Sequence, residues 1–209
     1  KSSLASIFFS SNFYFFFTNQ DYAGISSNFK PLLHLWSLSV EEQFYIFFPI
    51  FLVLYLKIVK NKLFIFGIII ISILTYLASF LIDQYYFRAS FYLFPTRAFQ
   101  FLIGCVIAKI YLDRKKFSID YLAPFIFYLS SIILFISIFF ISNRYLYPSY
   151  LILFPIISSA FMIYFCTLKN FNNTFLSNNY LVWFGKISYS LYLWHYPIFV
   201  YANYLDLLK

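Results

Sequence analysis

Apolar residues along this chain fall into seven runs that short polar segments separate. A helix of about 20 apolar residues crosses the hydrocarbon core of a bilayer. Backbone groups in that core must satisfy one another, which favours helices. The pattern therefore predicts an all-α, polytopic transmembrane bundle with about seven spans, the first of them short. The runs cover about residues 4–17, 39–59, 63–82, 93–111, 121–141, 150–168 and 181–204.

Composition supports a membrane protein. The chain has 209 residues, of which 63% are hydrophobic and only 11% are charged. Soluble domains are about 45–50% apolar and about 25% charged. A soluble fold of this length could not bury so much apolar surface, because even large cores leave much of the chain exposed.

The net charge of +8 does not indicate a nucleic-acid partner. The basic residues lie in short segments between the apolar runs, where the positive-inside rule places them on the cytoplasmic side. We therefore expect no nucleic-acid partner, a cytoplasmic start of the chain and an end on the outer side. The cytoplasmic markers are Lys1, Lys57, Lys60, Lys62, Arg114, Lys115, Lys116 and Lys169; Lys30, Arg88 and Arg144 lie on the opposite side.

The segment His34–Pro49 concentrates polar groups at the edge of a predicted span. Glu41 and Glu42 are adjacent in a chain with seven acidic residues. A capping box with Ser39 as N-cap would explain Glu42 as a structural residue. Alternatively, the carboxylates belong to a functional site together with the polar residues around them. Those neighbours are His34, Ser37, Gln43 and Tyr45.

Two other polar residues in apolar runs carry open alternatives. Arg97 could reach the membrane interface, pair with an acid such as Glu42, or bind an anionic group. His195 lies between Trp194 and Tyr196, which is typical of a membrane interface but also fits a site. Pro197 has no N–H to donate to the preceding turn of a helix and so leaves carbonyls free.

Metal and disulfide chemistry have no support in the sequence. The two cysteines, Cys105 and Cys166, lie inside apolar runs, and we expect buried free thiols. No zinc-protease, phosphate-loop or serine-hydrolase motif occurs. We therefore expect no metal site.

Several of these segments together resemble one family. The run His34–Pro49, HLWSLSVEEQFYIFFP, is similar to the WSLSVEEQFY signature of the acyltransferase-3 family of integral membrane O-acyltransferases. The run Gly185–Pro197, GKISYSLYLWHYP, resembles the later segment of that family, and Thr96–Phe99 with Gly104 resembles a helix between them. Leu4–Ser6 with Asn12–Tyr14 is similar to a family segment before the signature.

The resemblance implies that residues 1–209 are part of a membrane acyltransferase domain. Family members carry, in their first spans, a histidine and a basic stretch implicated in acyl transfer. Neither is found on this chain, so we expect the first spans to lie outside it. Glu42 and His34 are then the predicted catalytic residues of this chain. The predicted substrate-binding residues are Trp36, Ser37, Glu41, Arg97, Tyr189 and His195.

By the same resemblance, the expected reaction moves an acyl group, expected to be acetyl, from acetyl-CoA to a sugar hydroxyl of a surface polysaccharide such as lipopolysaccharide. The expected partners are an acyl donor, a glycan acceptor and membrane lipid, and the expected location is the bacterial inner (cell) membrane. A carrier or flippase for lipid-linked sugars is the main alternative, and a non-catalytic membrane scaffold is a third hypothesis. Paired broken helices in two halves of the chain would favour a carrier.

Overall fold

The computed structural model describes residues 1–18, 30–59, 63–113, 122–141, 147–166 and 176–205. Within these ranges the secondary structure is helical, and no strand occurs. Several topology markers lie outside the described residues, namely Lys60, Lys62, Arg114, Lys115, Lys116, Arg144 and Lys169. The predicted placement of those residues, outer for Arg144 and cytoplasmic for the others, stays a prediction.

The helices follow the predicted apolar runs closely. They are α1 (Ser2–Ile7), α2 (Ser11–Phe17), α3 (Leu35–Ile58), α4 (Phe64–Asp83), α5 (Phe87–Tyr92), α6 (Phe94–Leu112), α7 (Ala123–Phe140), α8 (Leu153–Cys166) and α9 (Asn179–Tyr204). A 3₁₀ turn at Tyr150–Ile152 precedes α8. The prediction of an all-α membrane protein is therefore confirmed.

Four stretches of the described chain are helical, long and apolar enough to cross a membrane. They are Leu35–Ile58, Phe64–Asp83, Phe87–Leu112, which combines α5 and α6, and Ala123–Phe140. The apolar segment Tyr150–Cys166 is shorter, and α9 has 26 residues but is not among the four. The polar residues of α9 that resemble the family segment lower its apolar character.

The first predicted span is wrong as a single helix. Residues 2–17 form the two short helices α1 and α2, and the break lies at Phe8–Ser10. Phe9 has a φ of 50°, a left-handed conformation that few residues other than glycine adopt. Neither helix, of six and seven residues, could cross a bilayer.

Local sequence explains how several helices begin and how they tolerate polar residues. The Asn178 side chain caps α9 by accepting a hydrogen bond from the Tyr180 N–H at 2.9 Å. Proline at the start of α7 suits a position whose N–H needs no helical partner. Hydroxyls inside the apolar helices donate to carbonyls three or four residues earlier, as Ser137 does to Ile133 at 2.7 Å.

The chain divides into two compact units, and α3 contributes its first half to one and its second half to the other. Unit 1 comprises residues 1–48, 92–94 and 174–209, and unit 2 comprises residues 49–91 and 95–173. In unit 2, α7 and α8 pack around Ala123, Phe127, Tyr164 and Phe165, each at most 5% exposed. The outer faces of α4 and α7 remain apolar and exposed, as expected of surfaces that contact lipid.

Candidate active site

The two family-like segments of unit 1 meet at a hydrogen-bonded pair of hydroxyls. The Tyr192 hydroxyl of α9 donates to the His34 carbonyl oxygen at 2.7 Å. The Ser37 Oγ of α3 lies 2.6 Å from the Tyr192 oxygen and 3.3 Å from the same carbonyl oxygen, so either hydroxyl can donate to the other. Residues more than 150 positions apart in sequence are thus held at the start of α3.

The His34 side chain is buried, with 3% of its surface exposed. Its ring centroid lies 5.3 Å from each of the ring centroids of Tyr192, His195 and Tyr196. Among the described residues, neither ring nitrogen of His34 has a hydrogen-bond partner. This buried imidazole can therefore still bind a group that enters the site, because unpaired buried polar atoms are costly.

Burial, with a smaller contribution from His195, lowers the pKa of His34 to about 4. The carbonyls of Leu193, Pro31 and Tyr192 oppose this change, since they lie close enough to favour the charged ring. They do not meet the geometry of a hydrogen bond to either ring nitrogen. His34 is consequently neutral at physiological pH.

His195 lies one helical turn after Tyr192, and its side chain is exposed. Its Nδ1 lies 2.6 Å from the Tyr192 carbonyl oxygen. Its ring faces His34 edge-on, with an interplanar angle of 74°. The structure thus brings together three predicted site residues, His34, Ser37 and His195, and adds Tyr192, which was not predicted.

The capping-box interpretation of Glu42 is wrong. Helix α3 begins at Leu35, so Ser39 lies inside the helix and the first turn contains no acidic residue. Ser39 Oγ instead donates to the Leu35 carbonyl at 3.2 Å and accepts from the Ser11 N–H at 3.2 Å. Glu42 is partly exposed, and its predicted catalytic role stays a prediction.

Glu41 occupies a different face of α3 from Glu42. Glu41 follows Ser37 by four residues, so it shares the face of α3 that carries the contact with Tyr192. It accepts a hydrogen bond of 2.6 Å from Tyr45, one turn later. Glu41 is therefore the acid whose helix position is better matched to the histidine pair.

The two aromatic rings among the predicted substrate-binding residues, Trp36 and Tyr189, differ in their surroundings. Trp36 packs edge-on against Tyr92, with ring centroids 5.4 Å apart. Tyr189 is 58% exposed and lies two turns before Tyr196 on α9. Trp36 is thus fixed by packing, whereas Tyr189 presents an open ring face.

Arg97 belongs to unit 2, near the start of α6. Its guanidinium stacks over the Tyr147 ring, 3.5 Å from the centroid, and its Nε donates to the Phe91 carbonyl at 3.0 Å. The Tyr147 hydroxyl donates to the Thr96 carbonyl at 2.6 Å. Burial raises the pKa of Tyr147, against the opposing effect of Arg97, so the phenol stays protonated. The possible pairing of Arg97 with Glu42 stays a prediction.

A buried amide pair in unit 1 is absent from the predicted site residues. Asn12 of α2 and Gln43 of α3 exchange two hydrogen bonds, of 3.3 and 2.9 Å. Asn12 also donates to the Tyr92 carbonyl at 3.2 Å, and Gln43 to the Phe9 carbonyl at 3.0 Å. The available signal was a pair of amides in apolar runs, each inside a family-like segment.

Candidate metal ligands do not gather in the described residues, where no group of three His, Cys, Asp or Glu side chains occurs. Cys105 and Cys166 are not joined in a disulfide, and both are partly rather than fully buried. The groups that meet in unit 1 are hydroxyls, imidazoles and amides.

Three bacterial proteins are similar in sequence to this chain. A protein of Staphylococcus aureus (strain COL) named "Putative O-acetyltransferase SACOL0978" is 36% identical over 218 residues, covering 97% of this chain and 35% of its own length. The Bacillus subtilis (strain 168) protein "Putative peptidoglycan O-acetyltransferase YrhL" is 30% identical over 95% of this chain and 33% of its own length. The Listeria monocytogenes (strain EGD-e) protein "Peptidoglycan O-acetyltransferase OatA" is 32% identical over 94% and 33%.

The chain spans about a third of the length of these relatives. No solved structure matches it. The family profile described as "Acyltransferase domain" matches residues 2–208, nearly the whole chain. Through that match, and through the two motifs that meet at His34 and Tyr192, the chain belongs to the acyltransferase-3 family.

Proposed function

We propose that this chain is the membrane-embedded part of an O-acetyltransferase that acetylates a hydroxyl of the cell-wall polymer peptidoglycan. The observation that carries the proposal is the family match over residues 2–208. The names of two relatives, which refer to peptidoglycan, favour that acceptor over lipopolysaccharide. The proposed location is the bacterial cell membrane, with the glycan at the outer face.

The proposed reaction transfers an acetyl group from acetyl-CoA, as co-substrate, to a sugar oxygen. A C–O ester bond forms, the C–S bond of the thioester breaks, and the hydroxyl proton must leave. Such a reaction needs a proton acceptor near the hydroxyl and donors near the carbonyl oxygen. The imidazoles of His34 and His195 and the hydroxyls of Ser37 and Tyr192 are groups of these kinds within one cluster.

The other candidate residues have proposed roles in binding. The ring of Tyr189 would stack on a sugar, because it is open, while Trp36 would shape the site from its packed position. Arg97 would hold an anionic group of a substrate, such as a phosphate of the acyl donor. Glu42, whose helix-capping explanation is excluded, would act through its negative charge.

The experiment uses the full-length protein reconstituted in lipid vesicles, with acetyl-labelled acetyl-CoA and peptidoglycan fragments. We expect label in alkali-labile O-acetyl esters on the glycan. Glu42→Gln should reduce this transfer by about 100-fold or more, within the range of general acid–base residues. Asp113→Asn is the matched control, because it makes the same change at a surface acid paired with Lys109.

The outcomes separate the hypotheses. Movement of lipid-linked sugar across the membrane without any ester formation would support the carrier hypothesis over the enzyme hypothesis. If a well-inserted protein showed neither transport nor transfer, the scaffold hypothesis would remain. Near-normal transfer by Glu42→Gln would remove Glu42 from the site but leave the acetyltransferase in place.

A further inference from the structure

The His195 ring is held in one tautomer by its own helix. Nδ1 lies 2.6 Å from the Tyr192 carbonyl oxygen, which can only accept a hydrogen bond. The proton of the neutral ring is therefore on Nδ1, and the lone pair is on Nε2. Among the described residues Nε2 has no hydrogen-bond partner, and the side chain is exposed.

Pro197 leaves another carbonyl of α9 available near the two histidines. It lies inside α9 and has no N–H, so the Leu193 carbonyl, four residues earlier, lacks its helical donor. That carbonyl is close enough to the His34 ring to influence its protonation. The Tyr192 carbonyl therefore holds the His195 ring, and the next carbonyl of α9, that of Leu193, lies near the His34 ring.

The two histidines differ in their access. Their ring centroids are 5.3 Å apart, but His34 is only 3% exposed while His195 is open. A neutral ring with a pKa of about 4 is a weak proton acceptor at physiological pH, which argues against His34 as the base. His34 remains suited to orient a hydroxyl through a hydrogen bond.

We propose that His195 is the general base of this site and takes the proton of the acceptor hydroxyl on Nε2, while the Tyr192 carbonyl is its positioning group. This inference rests on the proposed function. As the sugar oxygen bonds to the acetyl carbonyl carbon, its proton moves to Nε2. The C–S bond of the thioester then breaks, and Nε2–H returns that proton to the leaving thiolate, so that His195 ends neutral.

The test compares His195→Asn with wild-type full-length protein in the vesicle assay. The Asn amide nitrogen can occupy the position of Nδ1 and keep the hydrogen bond to the Tyr192 carbonyl, but Asn has no basic atom. We expect kcat for O-acetyl transfer to fall about 100-fold or more, with KM for the peptidoglycan fragment within about threefold. Ser190→Ala, at an exposed position of the same helix outside the cluster, is the control and should keep wild-type kcat.

A second variant tests basicity directly. His195→Ala should regain at least about tenfold of its lost rate with added imidazole, because the free ring supplies the missing proton acceptor. His195→Gln replaces the Asn variant if the latter fails to insert. The inference would be overturned if the inserted His195→Asn or His195→Gln protein transferred acetyl within threefold of the wild-type rate. It would also be overturned if His195→Ala did not respond to imidazole. An inactive wild-type protein would instead overturn the proposed function.

Discussion

Units 1 and 2 satisfy their polar groups in different ways. In unit 1, hydrogen bonds join segments far apart in sequence, such as Asn12 with Gln43 and Ser37 with Tyr192. In the described part of unit 2, the side-chain hydrogen bonds are mostly local, with Tyr147 to Thr96 as a long-range exception. Arg97 donates to the carbonyl six residues earlier, and Ser90 donates to Asp83 seven residues earlier.

Local and long-range hydrogen bonds place different demands on the rest of the fold. Local hydrogen bonds form as soon as a helix or turn forms, so they place few demands on the rest of the fold. Long-range polar contacts in an apolar protein require several segments to arrive together, and an unpaired member is costly. The contacts of unit 1 should therefore be the more sensitive to substitution.

The largest expected effect is the pH dependence that His34 gives to unit 1. Its pKa of about 4 in the folded protein lies below the ordinary value of 6.5. Between these values the unfolded chain binds a proton that the folded chain excludes, so stability falls as pH decreases from 6.5 towards 4. The loss at pH 4.5 should be about 2 to 3 kcal/mol, since each pH unit contributes about 1.4 kcal/mol.

Thermal unfolding of the detergent-solubilised protein between pH 7.5 and 4.5 measures this effect. His34→Gln should flatten the pH dependence relative to wild type, because it removes the titrating ring and leaves His195 in place. Equal slopes for the two proteins would mean that His34 is accessible to protons in the folded state. The contrast between a buried His34 and an open His195 would then fail.

The amide pair of unit 1 should give the next largest effect. Asn12→Leu or Gln43→Met alone leaves buried donors or acceptors unpaired, which costs about 1–3 kcal/mol. The coupling between the two substitutions should be about 1 kcal/mol, within the range measured for hydrogen bonds between membrane helices. The full double-mutant cycle is read from thermal unfolding midpoints.

A control cycle combines Gln43→Met with Asn179→Leu, a similar change at an exposed amide of α9. These two substitutions should add without coupling, because no contact joins the side chains. Coupling of Asn12 with Gln43 no larger than in this control would show that the pair does not hold α2 on α3. The long-range character of unit 1 would then rest on Tyr192 and on the contact of Ser11 with Ser39.

The smallest effect is expected in unit 2. Arg97→Lys loses the planar stacking on Tyr147 and should cost about 1 kcal/mol. Tyr147→Phe keeps the ring but loses the hydrogen bond to the Thr96 carbonyl, for about another 1 kcal/mol. Tyr150→Phe, at a tyrosine that is 68% exposed, serves as the control and should change little.

Both substitutions are measured by the same thermal unfolding. A destabilisation by Arg97→Lys greater than that of Asn12→Leu would reverse the proposed order of the two units. A loss of acetyl transfer at unchanged stability would instead support the predicted substrate contact of Arg97.

The apolar pattern was sufficient for the long helices. α4 at Phe64–Asp83 and α7 at Ala123–Phe140 lie within about two residues of the predicted runs, because a long apolar stretch has few alternatives to a helix in a membrane. The same pattern failed for residues 2–17. There the chain breaks at Phe9, whose left-handed conformation and bond from Gln43 depend on a partner 34 residues away.

Some members of the candidate cluster were predictable from sequence, but its geometry was not. The two family-like segments supplied His34, Ser37 and His195 from sequence, and the structure places all three in one cluster. A local motif suggested that Ser39 caps a helix beginning there. Helix α3 instead starts at Leu35, and Ser39 faces Ser11 of α2, a contact that no local pattern encodes.

The sequence by itself determined the helical class, the apolar character, the family and several candidate site residues. Those properties follow from residue type and short-range periodicity, which are present in the chain before it folds. The tertiary structure decided which polar groups meet: His34 with His195, Asn12 with Gln43, and Tyr192 with the His34 carbonyl. Some of these pairings join segments more than about 150 residues apart, because a buried polar atom takes whichever partner the fold brings within reach.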